Sequence, residues 1–542
     1  MAESCAFALG FGSLAGMIPQ QVGSCLENEG HNPQNGDALQ HTTGGLLAWR
    51  KADNWTAFTD GYRTWINGPN GLSQRLNTQR FPWEAEYQGA AEGDGSLLAA
   101  MVPPPAPARN ALKDSLPPFS QTPDGRFGGV QVSDVGVPVA QDLGLAWTRE
   151  LYLWDIMPRY EPGLFNSIST DQNLAPGLRE VGLIQFFAPY ANGGGGKRVP
   201  ARGLNLPWDH PENFFGQFAS GLASAKKGRV DTWILYNEED ICHASQPGFS
   251  WDSPGRVQDY YDYLKTGYQA IKAANPAATV LFGSLGIVDA SCQTDGTEMG
   301  FWNQWLDMAA TDPAAASNNY WFDALSLNFH KEPEKIYDLI KRYHESMQAR
   351  GFDKPVWLME TGIPVLPAPI DPASNGDLAV DKENQQSFLV QAYANAIAAG
   401  AGHVGIYKMS DFPPGDPAYR AIKAAVKYMS NVTSATKSPD NRSTASNKYV
   451  NRLSGVVAIT MNGPGFQTVV AYNRSSTPQQ VTIPATSSMA MVSDKHGNER
   501  LMSAQDGSYT FTLEPVTAFF DAPWGERVRF IGGSPIMLRQ AS

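Results

Sequence analysis

The sequence predicts an α/β protein built around a (β/α)8 TIM barrel, with a small β-rich N-terminal module before it and an antiparallel β-sandwich after it. A chain of 542 residues is too long for one ordinary core, which indicates two to four domains. Short β-type runs alternate with longer helical runs across residues 126–437. Helical periodicity then stops, and short strands separated by turns fill residues 438–542, as expected of a sandwich.

Residues 1–97 are rich in Gly, Asn, Thr and Trp, and their short apolar segments are separated by turn residues, which predicts a small β-rich module. Its aromatic residues could form either a sugar-stacking platform or simply the module's core; they are Trp49, Trp55, Phe58, Tyr62 and Trp65. Residues 98–125 contain the run "MVPPPAPARN", in which prolines exclude a helix or a central strand, so this segment is predicted to be a linker, or a belt laid over a neighbouring domain.

The barrel prediction depends on eight strand candidates in roughly 300 residues, the usual size of this fold. The candidates are GGVQV, AWTREL, GLIQFFA, DTWILY, ATVLFGS, FDALSLN, PVWLME and HVGIYK. An open doubly wound sheet is the alternative. It would require a glycine-rich phosphate loop after an early strand, and "GFGSLAG" has neither the GxGxxG spacing nor a strand before it.

Composition and charge narrow the possible partners. A formal net charge of −12 argues against binding to nucleic acid or to an anionic membrane surface. No apolar run approaches the roughly 18 residues of a membrane span, and the N-terminus lacks the pattern of a signal peptide. We expect a secreted protein whose signal peptide has been removed.

The four cysteines form two neighbourhoods in the sequence, Cys5 with Cys25 and Cys242 with Cys292. Two disulfides in an exported protein are one interpretation, and four buried thiols are the other. Because no CxxC or Cys/His cluster is present, we expect no metal and no cofactor. Cys242 and Cys292 follow the fourth and fifth strands, which are neighbours in a barrel, so a disulfide could brace these two loops.

Two glutamates stand at strand ends, where a barrel places its catalytic groups. Glu238 follows the fourth strand in "WILYNEED", and Glu360 ends the seventh in "KPVWLMETGIP". The fourth and seventh strands lie on opposite sides of a barrel mouth, so the two carboxylates can face each other across a sugar. One protonated and one ionised carboxyl are what glycoside hydrolysis requires, and direct attack predicts a spacing of about 5–5.5 Å.

These residues carry a resemblance to glycoside hydrolase clan A, a group of retaining barrel enzymes. The segments "LAWTRELYLWDIMP", "KGRVDTWILYNE" and "FDALSLNFH" are similar to the second, fourth and sixth strand regions of its family 39 branch, and "FIGGSPIMLRQ" is similar to a closing sandwich strand of related enzymes. The resemblance covers roughly residues 126–542. It implies a carbohydrate substrate and hydrolysis of an O-glycosidic bond by double displacement.

On this resemblance, Glu238 is expected to be the general acid/base and Glu360 the nucleophile. Asn237 would bind the 2-hydroxyl of the sugar, and Arg149 would keep Glu360 ionised, although it could also be a structural ion pair. Trp154 would belong to the substrate site or to ordinary packing.

The sequence departs from the family pattern at positions expected to contact substrate. Glu239 replaces the usual proline, Asn328 and His330 occupy positions where the family tends to have His and Tyr, and Tyr407-Lys408 replaces a tryptophan. Glu239 could raise the pKa of a neighbouring carboxyl by like-charge repulsion, or point into solvent. Lys408 and His330 could favour an acidic sugar, and salt bridges to Asp411 or Glu239 are the alternative.

Two other functions compete with a glycosidase. A catalytically degenerate barrel could bind carbohydrate without cleaving it, but both glutamates are retained. A metal-dependent barrel hydrolase would require His-x-His after the first strand, and "GGVQVSDVG" contains no histidine.

Overall fold

The computed structural model describes residues 5–31, 36–51, 54–60, 63–68, 71–76, 117, 119, 122–132, 136–157, 177–241, 256–286, 299–365, 380–440, 454–521 and 527–542. The chain divides into two compact units, residues 1–111 and residues 112–542.

The N-terminal unit is a six-stranded antiparallel sheet in sequence order, with two helices before it. Its elements are α1 Leu9–Met17, α2 Pro19–Val22, β1 Gly30–His31, β2 Ala38–Thr42, β3 Gly45–Arg50, β4 Trp55–Thr59, β5 Arg63–Gly68 and β6 Gly71–Leu76. Phe11 and Leu14 of α1 pack on Phe58 and Trp65 of the sheet, so these two aromatics belong to the core of the module. Trp49 packs at the edge of this core.

A disulfide joins Cys5 to Cys25, with the Cα atoms 6.1 Å apart. This pairing agrees with the predicted disulfide in the N-terminal module. The second predicted pair, Cys242 and Cys292, lies outside the described residues.

Eight parallel strands close into a barrel in the second unit, because the eighth strand pairs with the first. The strands are β7 Phe127–Val130, β8 Trp147–Leu153, β9 Arg179–Gln185, β10 Val230–Asn237, β11 Thr279–Leu285, β12 Ala324–Phe329, β13 Val356–Thr361 and β14 Val404–Ile406. All eight coincide with the strand candidates of the sequence. Closure confirms the predicted fold class and excludes the open doubly wound sheet.

Helices follow the strands, as the alternation of the sequence predicts. They are α3 Val137–Leu143, α4 Pro189–Asn192, α5 Phe214–Ala225, α6 Arg256–Ala274, α7 Gly300–Thr311, α8 Pro333–Gln348, α9 Lys382–Ala399 and α10 Pro417–Met429. Local signals fix their ends. The side chain of Asp381 caps α9 by accepting a hydrogen bond from the backbone of Asn384, and Gly400 ends that helix at φ 96°, a conformation that glycine adopts without strain.

The lower part of the barrel interior is filled by apolar side chains, among them Trp147, Leu183, Ile234 and Met359. Gly128 on the neighbouring strand makes room for the indole, since a Cβ there would lie 2.0 Å from the Trp147 ring. This filling packs the barrel interior, and the cavity that the described residues line lies at the carboxyl ends of the strands.

The C-terminal part is a sandwich. Its strands are β15 Ser434–Ser438, β16 Val456–Gly463, β17 Phe466–Asn473, β18 Gln479–Pro484, β19 Met489–Asp494, β20 Glu499–Ser503, β21 Ser508–Leu513, β22 Ala518–Asp521, β23 Arg527–Ile531 and β24 Ile536–Ala541. A six-stranded sheet has the order β15-β16-β17-β24-β19-β20, and β18 pairs with β21 in a separate ribbon.

Both faces of the six-stranded sheet are buried at its central strand β17. Val470 and Tyr472 of β17 join the core that the sheet shares with the barrel helices, whereas Val469 and Ala471 join the core between the sheet and the β18–β21 ribbon. This period of two along one strand makes the sheet the middle layer between the barrel and the ribbon. Among the described helices, none is both long and apolar enough to cross a bilayer.

Candidate active site

The end of β10 departs from regular strand geometry, and this change determines where Glu238 points. Ile234 faces the barrel interior and Leu235 faces the helices, so strict alternation would turn Tyr236 inward. Tyr236 instead packs outside among the helix-facing residues, at φ 79°, and Glu238 has φ 56°. As a result Asn237 and Glu238 both face the cavity at the barrel mouth.

The end of β13 carries a second irregularity. Leu358 pairs with Leu327 and Glu360 pairs with Asn328, so Met359 is one extra residue, a β-bulge. Met359 faces the barrel interior, and regular alternation would then direct Glu360 toward the helices. The bulge instead lets two consecutive side chains face inward, and Glu360 lines the cavity.

The cavity at the barrel mouth has a volume of about 810 Å³, which is large enough to hold part of an oligosaccharide. Glu238, Glu360 and His330 each place an oxygen or nitrogen atom in it, and these three atoms lie within 4.8 Å of one another. The two strand-end carboxylates predicted from the sequence therefore meet in one cavity.

Glu360 is surrounded by positive charge. A guanidinium nitrogen of Arg149 contacts one carboxylate oxygen, and Nε2 of His330 lies 3.4 Å from the other. Burial by itself raises the pKa of Glu360, but the charge of Arg149 and the hydrogen bond and charge of His330 outweigh it, so the pKa lies below its ordinary value. Glu360 is therefore ionised at neutral pH.

Glu238 has the opposite environment. Burial, followed by the negative charge of Glu360, raises the pKa of Glu238 to about 7, although a hydrogen bond from Asn328 opposes this shift. The like-charge repulsion expected between Glu238 and Glu239 acts on the other member of the pair, because burial and, to a smaller extent, the charge of Glu238 raise the pKa of Glu239. Two glutamates in one cavity thus differ in charge near neutral pH.

Asn328 is fully buried and links the two residues at the end of β10. Its Nδ2 donates to Oδ1 of Asn237 and to Oε1 of Glu238, both at 3.1 Å. Because the Oδ1 of Asn237 accepts this bond, the Nδ2 group of Asn237 is left to face the cavity as a donor. Asn328 does not line the cavity, so it acts on a ligand only through its two neighbours.

His330 is held from two sides. Its Nδ1–H donates to the carbonyl oxygen of Gly362 at 3.2 Å, which directs Nε2 toward Glu360. Its ring meets the Tyr407 ring edge-on, with the ring centroids 5.2 Å apart. Burial lowers the pKa of His330, but the hydrogen bond and charge of Glu360 reverse this and leave the pKa raised.

Tyr407 and Lys408 complete this side of the cavity, and the peptide bond between them is cis. Burial, together with the charge of Glu360, raises the pKa of the Tyr407 hydroxyl to about 12, so the hydroxyl stays protonated. Lys408 lines the cavity together with Asp411.

Besides Asn328, two residues expected at the substrate site lie outside the cavity. Trp154 is fully buried; its ring stacks on Phe218 with centroids 4.9 Å apart, and its Nε1 donates to the Tyr190 hydroxyl. Glu239 points neither into the cavity nor into solvent, since it is fully buried and a Cβ on Gly283 would lie 2.4 Å from its carboxylate. Burial, and then the charge of Asp240, raises the pKa of Glu239 well above its ordinary value.

Gln185 was not predicted and does line the cavity. It ends β9, is 4% exposed, and its side-chain amide nitrogen Nε2 has no hydrogen-bond partner among the described residues. An unpaired donor at the cavity wall suits a sugar hydroxyl. The signal was present in the sequence, since "GLIQFF" places a polar residue at the end of the third strand, as "WILYNE" does at the end of the fourth. Lys331, which lines the cavity beside His330, was also missed.

The cluster of Glu238, His330 and Glu360 has donor atoms that a metal ion could use. The Arg149 guanidinium already contacts Glu360, and a second cation beside it would be repelled. The arrangement therefore fits a pair of catalytic carboxylates better than a metal centre.

No family model matches the chain, and no curated protein matches its sequence. Solved structures do match. A family 39 glycoside hydrolase from the gut symbiont Bacteroides cellulosilyticus WH2 is 14% identical, with a TM-score of 0.48, over 93% of this chain and 92% of that chain. A GH30 endoxylanase from Clostridium papyrosolvens C71 is 10% identical, with a TM-score of 0.45, over 80% of this chain and 100% of that chain.

A GH44 xyloglucanase from Paenibacillus polymyxa is 12% identical, with a TM-score of 0.45, over 79% of this chain and 97% of that chain. These structures are glycoside hydrolases, the class that the sequence resemblance named. Similarities at this identity, with TM-scores below 0.5, carry no conclusion about the chemistry of this chain, which rests on its own site.

Proposed function

We propose that the protein is a retaining glycoside hydrolase that cleaves O-glycosidic bonds of a poly- or oligosaccharide. One observation carries the proposal: one carboxylate oxygen of Glu238 and one of Glu360 lie within 4.8 Å of each other in one cavity, and the pKa values of the two groups are shifted in opposite directions. A short separation suits direct attack, because an inverting pair must leave room for a water molecule and stands about 6.5–9.5 Å apart.

In the first step the ionised Glu360 attacks the anomeric carbon while the protonated Glu238 gives its proton to the leaving oxygen. The bond between the anomeric carbon and that oxygen breaks, and a glycosyl ester forms on Glu360. The close approach of the two groups assists both roles. The charge of Glu360 helps keep Glu238 protonated, and Arg149 keeps Glu360 ionised.

In the second step Glu238, now ionised, removes a proton from water as the water attacks the anomeric carbon. The ester bond to Glu360 breaks, the carboxylate is regenerated, and the configuration at the anomeric carbon is retained. The Nδ2 group of Asn237 is available to bind the sugar's 2-hydroxyl, since Asn328 occupies its Oδ1. The Nε2 of Gln185 is a further donor for a hydroxyl group.

Export fits this activity, because polymeric sugars are met outside the cell. The Cys5–Cys25 disulfide supports it, since such bonds form and persist in oxidising compartments.

Turnover of a panel of aryl glycosides, measured with and without a chelator, tests the proposal. We expect hydrolysis that the chelator does not change, with NMR of the first product showing retained configuration. A 2-deoxy-2-fluoro glycoside of the best substrate should label Glu360, as seen by peptide mass spectrometry. Binding without turnover on every substrate would support the carbohydrate-binding alternative, and loss of activity with chelator would support a metal-dependent hydrolase.

A further inference from the structure

The segment between β12 and α8 reaches two different environments within three residues. His330 faces the cavity and contacts Glu360, whereas Glu332 is 1% exposed and faces the sandwich. Lys331, between them, also lines the cavity. The position of this short segment therefore links the barrel mouth to the barrel–sandwich interface.

Arg474 of the sandwich holds Glu332. Its Nη2 donates to Oε1 of Glu332 at 2.7 Å, and both side chains are buried, at 0% and 1% exposure. Arg474 follows β17, and its backbone N–H donates to the carbonyl oxygen of Gly455 at 2.7 Å. The guanidinium is therefore presented from a fixed part of the sandwich.

A second buried ion pair lies nearby but joins a different part of the chain. Glu334, inside the first turn of α8, accepts hydrogen bonds from Lys437 of β15 and from the hydroxyl of Tyr472. Lys437 and Glu334 are both fully buried. This pair fastens helix α8 to the sandwich, and the Glu332 pair fastens the segment that carries His330.

The ion pair of Glu332 and Arg474 restricts the positions that segment 330–332 can take. A buried carboxylate without a cation is strongly disfavoured, so the segment 330–332 is confined to positions in which Glu332 reaches Arg474. Burial raises the pKa of Glu332 to about 7 even with Arg474 beside it. Without Arg474 this carboxyl would be neutral near pH 7, and the charged hydrogen bond would be lost. His330, two residues away, would then lose the constraint on its distance to Glu360.

We propose that Arg474 is a positioning residue for the active site: by holding Glu332, the sandwich sets the position of His330 against Glu360. The inference rests on the proposed function for its kinetic consequences, but the position of His330 can be measured without any substrate. The sandwich on this view is a structural part of the catalytic centre, although none of its described residues lines the cavity.

The experiment compares Arg474→Met with Lys437→Met in the full chain. Both variants break a buried ion pair between sandwich and barrel, and both should lower Tm. Only Arg474→Met should lower kcat/KM, by about 10- to 100-fold, as small displacements of catalytic groups do. The acidic limb of the kcat/KM–pH profile of Arg474→Met should also move to higher pH, because His330 no longer helps to lower the pKa of Glu360.

The titration of His330 by NMR gives a readout that does not depend on activity; its signal is identified by its absence in His330→Gln. The groups that face the ring are Glu360 and Glu238, with Tyr407 against its edge. In Arg474→Met the pKa of His330 should fall, because these carboxylates no longer raise it, and in Lys437→Met it should match the wild type.

A wild-type titration of His330 in folded Arg474→Met, or equal shifts in both variants, would overturn the proposal. If Arg474→Met does not fold, the double variant Glu332→Gln with Arg474→Met removes both buried charges, a change that buried pairs often tolerate. That variant should show the same lowered His330 pKa, and an unchanged value would again overturn the inference. If the wild type hydrolyses no glycoside, the proposed function fails, and the NMR comparison still decides the role of Arg474.

Discussion

The two sides of the cavity hold the same type of side chain in opposite electrostatic environments. At the end of β13, Glu360 meets a guanidinium and an imidazole, and its pKa is lowered. At the end of β10, Glu238 meets an amide and the charge of Glu360, and its pKa is raised to about 7. Burial acts on both groups in the same direction, so the difference comes from the neighbours. The comparison teaches that the role of each carboxylate is set by the Arg149 guanidinium that contacts Glu360 on one side and by the neutral amide of Asn328 that contacts Glu238 on the other.

Removal of the charge at the β13 side should have the largest effect. Glu360→Gln keeps the shape of the side chain but cannot attack, so kcat should fall by about 10⁴-fold or more for every substrate, whatever its leaving group. Glu212→Gln, at an exposed position, is the control and should leave kcat unchanged. Substantial remaining turnover in Glu360→Gln would place the nucleophile elsewhere.

Removal of the carboxyl at the β10 side should discriminate between substrates. Glu238→Ala should slow hydrolysis of a natural oligosaccharide by about 10²- to 10⁴-fold, because its leaving group needs a proton. Glycosylation by a dinitrophenyl glycoside, which needs no proton, should be affected less. Added azide should restore turnover and give a glycosyl azide of retained configuration. Equal losses on both substrates without azide rescue would exclude Glu238 as the acid/base.

The pH profile tests the electrostatic difference directly. Activity should rise with pH as Glu360 ionises and should fall above about 7 as Glu238 loses its proton. Arg149→Met removes the cation that lowers the pKa of Glu360, so the acidic limb of kcat/KM should move upward by about 1–3 pH units. Arg179→Met, at the opposite end of the barrel, is the matched control. An acidic limb that stays in place would mean that Arg149 does not set the charge of Glu360.

The smallest expected effect concerns the amide on the β10 side. The hydrogen bond from Asn328 lowers the pKa of Glu238, so Asn328→Ala should move the basic limb upward by about one pH unit. Ser326→Ala is a control on the same strand, since its hydroxyl donates to the Phe282 carbonyl and not to either carboxylate. A basic limb that moves downward would contradict the assigned role of the amide.

Much of this arrangement could be predicted from the sequence. The alternation of short and long apolar runs predicted all eight barrel strands, and the rule that barrels place reactive groups at strand ends selected Glu238 and Glu360. Closure of the barrel by β14 and β7 then brings the two strand ends to one mouth. The strands follow from the local hydrophobic periodicity of the sequence. The meeting of the two glutamates follows from the general topology of a closed parallel barrel.

Other features could not be predicted because they depend on tertiary packing. The buried ion pair of Glu332 and Arg474 joins residues 142 positions apart, and no local sequence pattern predicts it. The position of Trp154 depends on aromatic residues from the segment after β9 and from α5, such as Phe187 and Phe218, which surround it. The left-handed conformation of Tyr236 also could not be predicted from the sequence, because tyrosine rarely adopts it.

The bulge at Met359 determines how β13 would respond to a change in its length. Leu358 pairs with Leu327 and Glu360 pairs with Asn328, so Met359 is the extra residue between two regular pairings. Deletion of Met359 would leave both pairings in place, and regular alternation after the helix-facing Leu358 would still direct Glu360 into the cavity. The strand would lose a buried methionine but keep the pair of carboxylates, so this single-codon deletion should lower Tm and yet leave far more activity than Glu360→Gln.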